Sequence, residues 1–417
     1  MRRTGTSGAA DAAASAAFRP YEQGFARNPY PVYARLRRES PVFHSAEFGM
    51  TFFTRYADVE RLLQEPRLGR TMRHRMSPAE RAADDEPWQH LPNYARYVRV
   101  NVLETEGEEH ARLRRVLMRV MNPNRIRRLK ARIENLARER VAALAPRGRM
   151  EFVSELATPL PVHLIAELLG WPAEERERLR PWSAAIVRLY EKDATAADER
   201  AAETAAAEFA ARIGELVEER LARPDDGVIG ELATMSRDEG LLDREELVAS
   251  CMLLLNAGHE ATVNAAGNGL LALLRHPEAY ARLRADPALV DTAVEEMLRY
   301  DAPLHLFHRY VLEDMEYAGR RFRPGDTLGL LYGSANRDPE AFVEPERFDI
   351  GRSPNRHFAF GAGAHFCVGA PLARLELRAL FSALLEGLPE LSLTDEEPEY
   401  HTGLVFRGLK ALHVRWP

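Results

Sequence analysis

Apolar positions recur at helical spacing along most of the chain. The pattern predicts helices over 28–38, 57–64, 287–300 and 372–385, and a nearly continuous helical region over 110–223 with breaks at Pro123, near Pro146 and at 159–161. The longest periodic segment, 243–275, predicts one helix of about 33 residues, roughly 50 Å long at 1.5 Å per residue. We expect a helix of that length to cross the whole molecule.

β-favouring residues alternate with turn residues in three short regions. Residues 40–53 are typical of a small hairpin, and 304–332 and 400–416 predict further strands. Residues 70–105 contain scattered prolines and aromatic residues, which predicts a long irregular segment of the kind that forms lids and binding loops. The expected fold class is therefore mainly α with a small β region.

The composition is that of an ordinary globular protein. Of 417 residues, 46% are apolar and 29% charged, and the net charge of −6 argues against a nucleic-acid partner. No 18-residue apolar run occurs, so we expect no membrane span. The two cysteines, Cys251 and Cys367, do not make a disulfide framework, which favours a reducing, cytoplasmic location.

The first 17 residues differ in composition from the rest of the chain. They are rich in Gly, Ala, Ser and Thr and lack the apolar middle of a signal peptide. We predict that 1–17 is a flexible leader. Because no repeat or convincing linker divides the remainder, we predict that 18–417 is a single domain.

The strongest chemical signal is a glycine-rich loop around Cys367. Residues 360–369 read FGAGAHFCVG and run directly into a predicted helix. Backbone N–H groups at a helix start relieve the desolvation of a thiolate, and glycine allows the backbone to fold tightly around the sulfur. Such a cysteine could bind haem iron, act as a nucleophile or simply be buried structure. We expect Cys251, on the apolar face of the long helix, to pack in the core.

The loop matches the pattern F-x-x-G-x-x-x-C-x-G at every fixed position and resembles the haem-binding loop of the cytochrome P450 family. The resemblance implies a triangular-prism fold with haem b between the long central helix and the cysteine loop. Cys367 would be the axial thiolate ligand of the iron. Phe360 would shield the sulfur, and Gly363 and Gly369 would let the backbone approach the cofactor.

The resemblance extends upstream to a predicted structural network. Glu296 and Arg299 match the family's Glu-x-x-Arg, and their spacing places them on one helix face. Arg347, in the sequence PERF, matches the arginine that joins this pair in the family. The three residues are therefore expected to hold the cysteine loop in place.

Two further segments are similar to the family's propionate-binding residues. His110 and Arg114, four apart on a helix, would point in the same direction. Arg309 and His365 match the other contributors. Arg112, Arg115 and Arg119 lie on other helix faces and either form a basic patch for an acidic electron donor or are merely solvated.

The long helix contains a stretch, LNAGHEAT, that resembles the family's oxygen-binding segment. Gly258 would leave room beside the haem and allow local widening of the helix, and Glu260 occupies the place of the acid that relays protons. Ala261 replaces the usual threonine. Thr262 follows, but one residue is about 100° of helix rotation, so its hydroxyl is not equivalent. Ordered water, a substrate hydroxyl or uncoupled turnover would then be expected.

The resemblance also implies a substrate pocket above the haem. Its predicted walls come from the 70–103 loop, the region of 182–190, the long helix and two later turns, with these residues expected to line it: Tyr97, Leu304, His305, His308, Val405 and Phe406. The two histidines would either orient a polar substrate or be turned into the protein.

The function implied is insertion of one oxygen atom from O2 into a small, largely apolar organic substrate. Because no flavin or nicotinamide domain is recognised, a separate ferredoxin and its reductase would supply electrons. The alternatives are a peroxide-driven peroxygenase and a non-catalytic haem-binding recruiter or sensor.

Overall fold

The computed structural model describes residues 5–99, 101–388, 390–394 and 397–417. Its α-helices are α1 (Gly5–Ala17), α2 (Gln23–Arg27), α3 (Tyr30–Glu39), α4 (Tyr56–Leu63), α5 (Pro78–Asp85), α6 (Pro92–Tyr97), α7 (Gly107–Val120), α8 (Pro123–Leu144), α9 (Pro159–Leu169), α10 (Leu179–Arg188), α11 (Ala196–Ala222), α12 (Val228–Thr234), α13 (Arg244–Leu274), α14 (Pro277–Ala285), α15 (Val290–Tyr300), α16 (Tyr332–Ala335) and α17 (Ala370–Gly387).

The strands are β1 (Val42–Ser45), β2 (Met50–Phe53), β3 (Leu68–Gly69), β4 (Arg149–Glu151), β5 (Phe307–Val311), β6 (Met315–Tyr317), β7 (Arg320–Phe322), β8 (Thr327–Leu330), β9 (Ser392–Leu393) and β10 (His413–Arg415). They form a five-stranded sheet in the order β1-β2-β8-β5-β3, a three-stranded sheet β4-β10-β9 and the pair β6-β7. Helices account for 61% of the structure and strands for 9%, so the mainly α fold class with a small β region is confirmed.

The long central helix forms because its ends are specified locally and its sides are apolar. The Asp243 side chain accepts a hydrogen bond from the Glu246 N–H at 2.8 Å, and the Glu246 carboxylate accepts one from the Asp243 N–H at 2.9 Å. Most side chains of α13 are buried on all sides, as expected for a helix surrounded by others. It packs against α9, α10, α11, α15 and α17. None of the described helices is both long and apolar enough to cross a membrane.

The prolines predicted to break the helical region instead stand where helices begin. Pro123 and Pro159 occupy the first positions of α8 and α9. A backbone N–H has no helical partner in the first turn, so proline is tolerated there. The break predicted near Pro146 agrees with the end of α8 at Leu144.

Two sequence expectations differ from the structure. Residues 1–4 of the expected leader lie outside the described residues, but Gly5–Ala17 is helical, and Asp11 pairs with Arg320 at 2.7 Å. Ala14 is buried beside Phe18, because the alanine-rich helix packs on β1. Residues 70–105, expected to be irregular, contain α5 and α6. The single-domain boundary at 18–417 stays a prediction.

Candidate functional site

Cys367 lies in a tight turn immediately before α17. Its backbone N–H donates to the carbonyl of Phe360 at 3.0 Å, and the Phe366 N–H donates to that of Gly363 at 3.1 Å. Burial raises the pKa of the Cys367 thiol, while the N–H groups of Gly369 and Ala370 and the charges of Arg114 and Arg374 lower it in part. The turn is thus arranged to accept negative charge on the sulfur, which a bound cation would complete.

Gly363 is required by the shape of this turn. Its φ is 72°, a left-handed conformation, and a Cβ there would lie 2.3 Å from the carbonyl oxygen of Leu63. Gly369 has an ordinary φ of −80°, and a Cβ at that position would lie 3.8 Å from the Cys367 sulfur. Conformation therefore demands glycine at 363 but not at 369.

Phe360 covers one side of the loop. The guanidinium of Arg374 lies 4.4 Å from its ring centroid, and Arg374 is fixed by Glu295 through hydrogen bonds of 2.7 and 2.9 Å. The ring of Phe366 lies 6.5 Å from the Phe360 ring, measured between centroids, and Phe366 is 40% exposed. Arg374 thus covers the cysteine loop at Phe360, and the loop presents Phe366 at the surface.

Two histidines predicted to contact a cofactor lie side by side. The rings of His110 and His365 are 4.2 Å apart, and His365 Nε2 lies 2.8 Å from Glu106 Oε1. Burial lowers the pKa of His110 to about 4, helped by the charges of His365 and Arg114. Within the described residues, His110 Nε2 is buried without a hydrogen-bond partner, and such an atom calls for an acceptor or donor from a bound group.

Arg309 is a buried cation without a carboxylate partner in the part of the chain described. It is 4% exposed, and its Nη1 donates to the His308 carbonyl at 3.0 Å. Burial lowers the pKa of its guanidinium. A buried, unpaired charge is costly, so this position fits the carboxylate of a bound molecule.

Arg70 is a further cation at this position, and the sequence motifs did not identify it. It donates to the same His308 carbonyl at 2.9 Å, pairs with Glu104 at 2.5 Å and lies 4.4 Å from the ring centroid of Phe307. The only sequence signal was its place at the start of the expected pocket loop, which did not single out a residue.

Arg114 contacts the cysteine loop itself. Its Nη2 donates to the Phe366 carbonyl at 2.8 Å, and its charge lowers the pKa of both the Cys367 thiol and the His110 imidazole. With His110, His365 and Arg309, this donor set fits a group that combines a thiolate-binding metal with two carboxylates.

The predicted arginine network forms, but with a different third member. Arg299 and Glu296 are fully buried and joined by two hydrogen bonds of 2.8 Å. Arg352, not Arg347, donates to Glu296 at 3.1 Å. The Arg347 side chain is 63% exposed and pairs with Glu344, and only its carbonyl accepts from Arg299. The assignment of Arg347 is wrong because the chain turns at Asp349 and brings Arg352 back towards α15.

The predicted oxygen-binding stretch lies in the middle of α13. Ala257 is exposed and Gly258 and Ala261 are half-buried, although the preceding turn is buried. A Cβ at Gly258 would lie 3.4 Å from Ile165 of α9, so this glycine faces a neighbouring helix, and α13 shows no widening there. Ala261 has a small apolar side chain at the position where the family that this stretch resembles has a hydroxyl.

Glu260 and Thr262 differ in what occupies their polar atoms. Burial raises the pKa of Glu260, against a hydrogen bond with Asn264 and the charge of Arg180. The Thr262 hydroxyl donates to the Gly258 carbonyl at 3.2 Å, so the helix itself uses it. Thr262 therefore does not supply the hydroxyl missing at Ala261.

Two of the predicted pocket segments meet. Leu304 pairs with Phe406 across a β-bridge, and the Val405 carbonyl accepts a hydrogen bond from the His305 N–H at 2.9 Å. Phe406 stacks on Tyr190 at 6.5 Å between ring centroids. These contacts place both turns beside the end of α10.

The other predicted pocket residues separate. His305 is 5% exposed, its ring nitrogen Nδ1 lies 3.0 Å from the Tyr33 hydroxyl, and burial lowers the pKa of the imidazole to about 3. The ring faces α3, so of the two alternatives for His305 the structure supports the one in which the ring is turned into the protein. His308 is half-buried against Tyr310, with ring centroids 5.4 Å apart. Tyr97 lines a separate surface cleft of about 570 Å³ between α6, α11 and α13.

Glu191 is a functional candidate that the sequence did not indicate. Its carboxylate accepts the backbone N–H groups of Leu404, Val405 and Phe406 at 2.8, 3.1 and 3.2 Å, and the Tyr21 hydroxyl at 3.3 Å. The residue fixes the turn that carries Val405 and Phe406 against α10.

Comparison with known proteins agrees with this geometry. The family model described as Cytochrome P450 matches residues 179–412. The chain is 38% identical to the cytochrome P450 monooxygenase PikC of Streptomyces venezuelae, over 94% of this chain and 92% of the relative. It is also 38% identical to the vitamin D(3) 25-hydroxylase of Pseudonocardia autotrophica, over 94% of each. The crystal structure of myxobacterial CYP267B1 in complex with myristic acid superposes with a TM-score of 0.87 at 36% identity, covering 95% of this chain and 98% of that one.

Proposed function

The chain belongs to the cytochrome P450 family, and from that premise we propose that it inserts one oxygen atom from O2 into a small, largely apolar organic substrate, with Cys367 as the thiolate that would hold haem b. The observation that carries the proposal is the joint placement of the Cys367 turn and the buried Arg309, which has no carboxylate partner among the described residues. The Cys367 sulfur needs a cation and the Arg309 guanidinium needs an anion. Haem would provide both, with its iron and its propionates.

The residues of the site divide the work of holding such a cofactor. The N–H groups of Gly369 and Ala370 lower the pKa of the Cys367 thiol against the effect of burial, and they would stabilise the thiolate once it binds the iron. Arg309, His110 and His365 would hold the two propionates. When bound, haem supplies the activation of O2, which an axial thiolate favours by pushing electron density towards the iron.

On the other side, Glu260 would hold and deliver protons. Burial raises the pKa of this carboxyl, so it retains a proton closer to neutral pH than an exposed acid does. Because Ala261 has no hydroxyl, ordered water or a substrate hydroxyl would complete the path to the oxygen site.

Two similar proteins and the apolar side chains beside α10 support this substrate class. One relative is a vitamin D(3) 25-hydroxylase, and one similar structure is a complex with myristic acid. Vitamin D(3) and myristic acid are both largely apolar. Phe406, Tyr190 and Leu304 offer the matching apolar contacts here.

We propose a ferredoxin-type electron donor that docks beside the cysteine loop. Phe366 of the loop is 40% exposed, and Met118, one turn after Arg114 on α7, is 50% exposed. Arg112 and Arg119 pair with Glu246 and Glu239, so among the three predicted patch arginines only Arg115 has no ion-pair partner in the described residues. The surface offered is therefore more apolar than the basic patch expected from sequence.

The first test is the absorption spectrum of the purified, reduced protein with carbon monoxide. We expect a Soret band strongly red-shifted from that of histidine-ligated haem, lost in Cys367→Ala and kept in Cys251→Ala. Cys251 is the matched control, since it is a fully buried core thiol on α13. A histidine-like band, or an unchanged band in Cys367→Ala, would contradict the proposal.

A further inference from the structure

His259 is a buried histidine with no assigned role. It is 3% exposed on α13, and within the described residues neither ring nitrogen has a hydrogen-bond partner. Asn256, one turn earlier on the same face, also has a buried oxygen, Oδ1, without a partner. Native proteins rarely leave buried polar atoms without a hydrogen-bond partner, so we expect these atoms to bind water or to exchange protons.

The imidazole lies next to the acid proposed to deliver protons. His259 Nδ1 is 4.0 Å from Glu260 Oε2, a separation that one bridging water or a small rotation spans. This chain needs another polar group for proton transfer beside Glu260, because Ala261 lacks a hydroxyl and the Thr262 hydroxyl donates to the Gly258 carbonyl. Glu260 therefore depends on its remaining polar neighbours.

A charged side chain on α10 acts on both groups. Arg180 is exposed on that helix, and its charge lowers the pKa of both His259 and Glu260. The charged groups that face the imidazole are thus Glu260 on its own helix and Arg180 on the neighbouring one. Burial, with Arg180, lowers the pKa of His259 to about 4, so the ring is neutral at pH 7 and has one donor and one acceptor nitrogen.

We propose that His259 is a positioning residue that returns protons from the Arg180 side to Glu260. The inference rests on the proposed function and deepens it at the same site. In the step, the Nδ1–H bond breaks as a proton passes to Glu260 Oε2, and Nε2 gains a proton from solvent. The imidazole stays neutral, one proton enters the site, and rotation of the ring restores the starting tautomer.

The test compares haem-loaded His259→Phe, which keeps the buried volume without nitrogens, with His259→Gln, which keeps polar atoms but cannot relay. His163→Phe on α9 is the control, a half-buried histidine outside this cluster. We expect product formed per electron pair to fall about tenfold in both His259 variants. The solvent isotope effect on turnover should rise, and the infrared carboxyl band of Glu260 should shift.

The outcomes separate this inference from the proposed function. A thiolate-type Soret band with unchanged substrate affinity, isotope effect, coupling and carboxyl band in His259→Phe would overturn the relay alone. Loss of that Soret band in the unmodified protein would overturn the proposed function. If His259→Phe fails to fold, His259→Gln gives the same comparison.

Discussion

Arg309 illustrates how single residues distinguish the site from the rest of the molecule. Most arginines here pair with a carboxylate, whereas Arg309 is buried and contacts the His308 carbonyl and the Tyr332 side chain, with no carboxylate partner among the described residues. Leaving a buried charge unpaired costs stability, and a carboxylate-bearing ligand recovers it. We therefore expect Arg309 to lower the stability of the cofactor-free protein, and the binding of a carboxylate there to restore it.

Glu376 on α17 makes stability depend on pH. Burial raises its pKa to about 8, and one carboxylate oxygen has no partner in the described residues. The folded state therefore keeps the proton, while the unfolded chain releases it above its ordinary pKa of 4.5. Stability from this residue is complete below pH 4.5 and is lost as pH rises through about 8.

We expect Glu376→Gln to remove this pH dependence and to stabilise the protein by roughly 2–4 kcal/mol at pH 9. Urea unfolding between pH 5 and 9 measures the difference. Glu386→Gln, at an exposed position of the same helix, should leave the slope with pH unchanged. An equal slope in Glu376→Gln and the unmodified protein would contradict the assignment.

At the scale of elements, one carboxylate joins the end of α10 to a distant turn. Glu191 accepts three successive N–H groups from 404–406, and the neighbouring Lys192 ammonium donates to the Phe48 carbonyl at 2.6 Å. Charged acceptors make stronger hydrogen bonds than neutral ones. The loop after α10 is therefore held to both the hairpin and the C-terminal turn.

We predict that Glu191→Gln loosens this turn without unfolding the protein. Amide hydrogen exchange at Leu404, Val405 and Phe406 should accelerate about tenfold, because a neutral amide oxygen is the weaker acceptor. Exchange measured by mass spectrometry on the peptide spanning the turn provides the test. Glu177→Gln, at an exposed acid before α10, should leave exchange unaltered, and unaltered exchange in Glu191→Gln would refute the clamp.

At the scale of the whole molecule, the Glu296 network connects α15 to the segment that leads into the cysteine loop. Arg299 donates to the carbonyls of Asn336 and Pro345 at 2.8 and 2.9 Å, and Glu296 accepts from Asn355 at 3.1 Å. The Asn336 side chain in turn accepts the Phe358 N–H at 2.7 Å. The position of the loop thus depends on a buried ionic cluster far along the chain.

We expect Arg352→Met to destabilise the protein by about 3 kcal/mol, because Glu296 stays buried without one of its cations. Arg347→Met should change stability by less than about 0.5 kcal/mol, since its side chain is exposed. Urea unfolding, together with the ratio of haem to protein, distinguishes the two. Equal losses in both variants would mean that the network is not the one described.

The sequence by itself determined the features whose causes are local. The capping box at Asp243 and the apolar period define α13, and the spacing of Phe360, Gly363 and Cys367 predicted a loop whose turn requires glycine at 363. Each of these features depends on hydrogen bonds and backbone angles within one segment, so the pattern of residue types in that segment predicts it.

The tertiary structure alone decided which distant side chains meet. Arg352 lies 56 positions from Glu296, and Glu191 lies 213 from Leu404, so no local pattern distinguishes them from exposed neighbours such as Arg347. His305 faces the tyrosines of α3 rather than a substrate for the same reason. Partners of this kind are chosen by how packed elements bring side chains together, and burial then sets the strength of each pair and the pKa of each group.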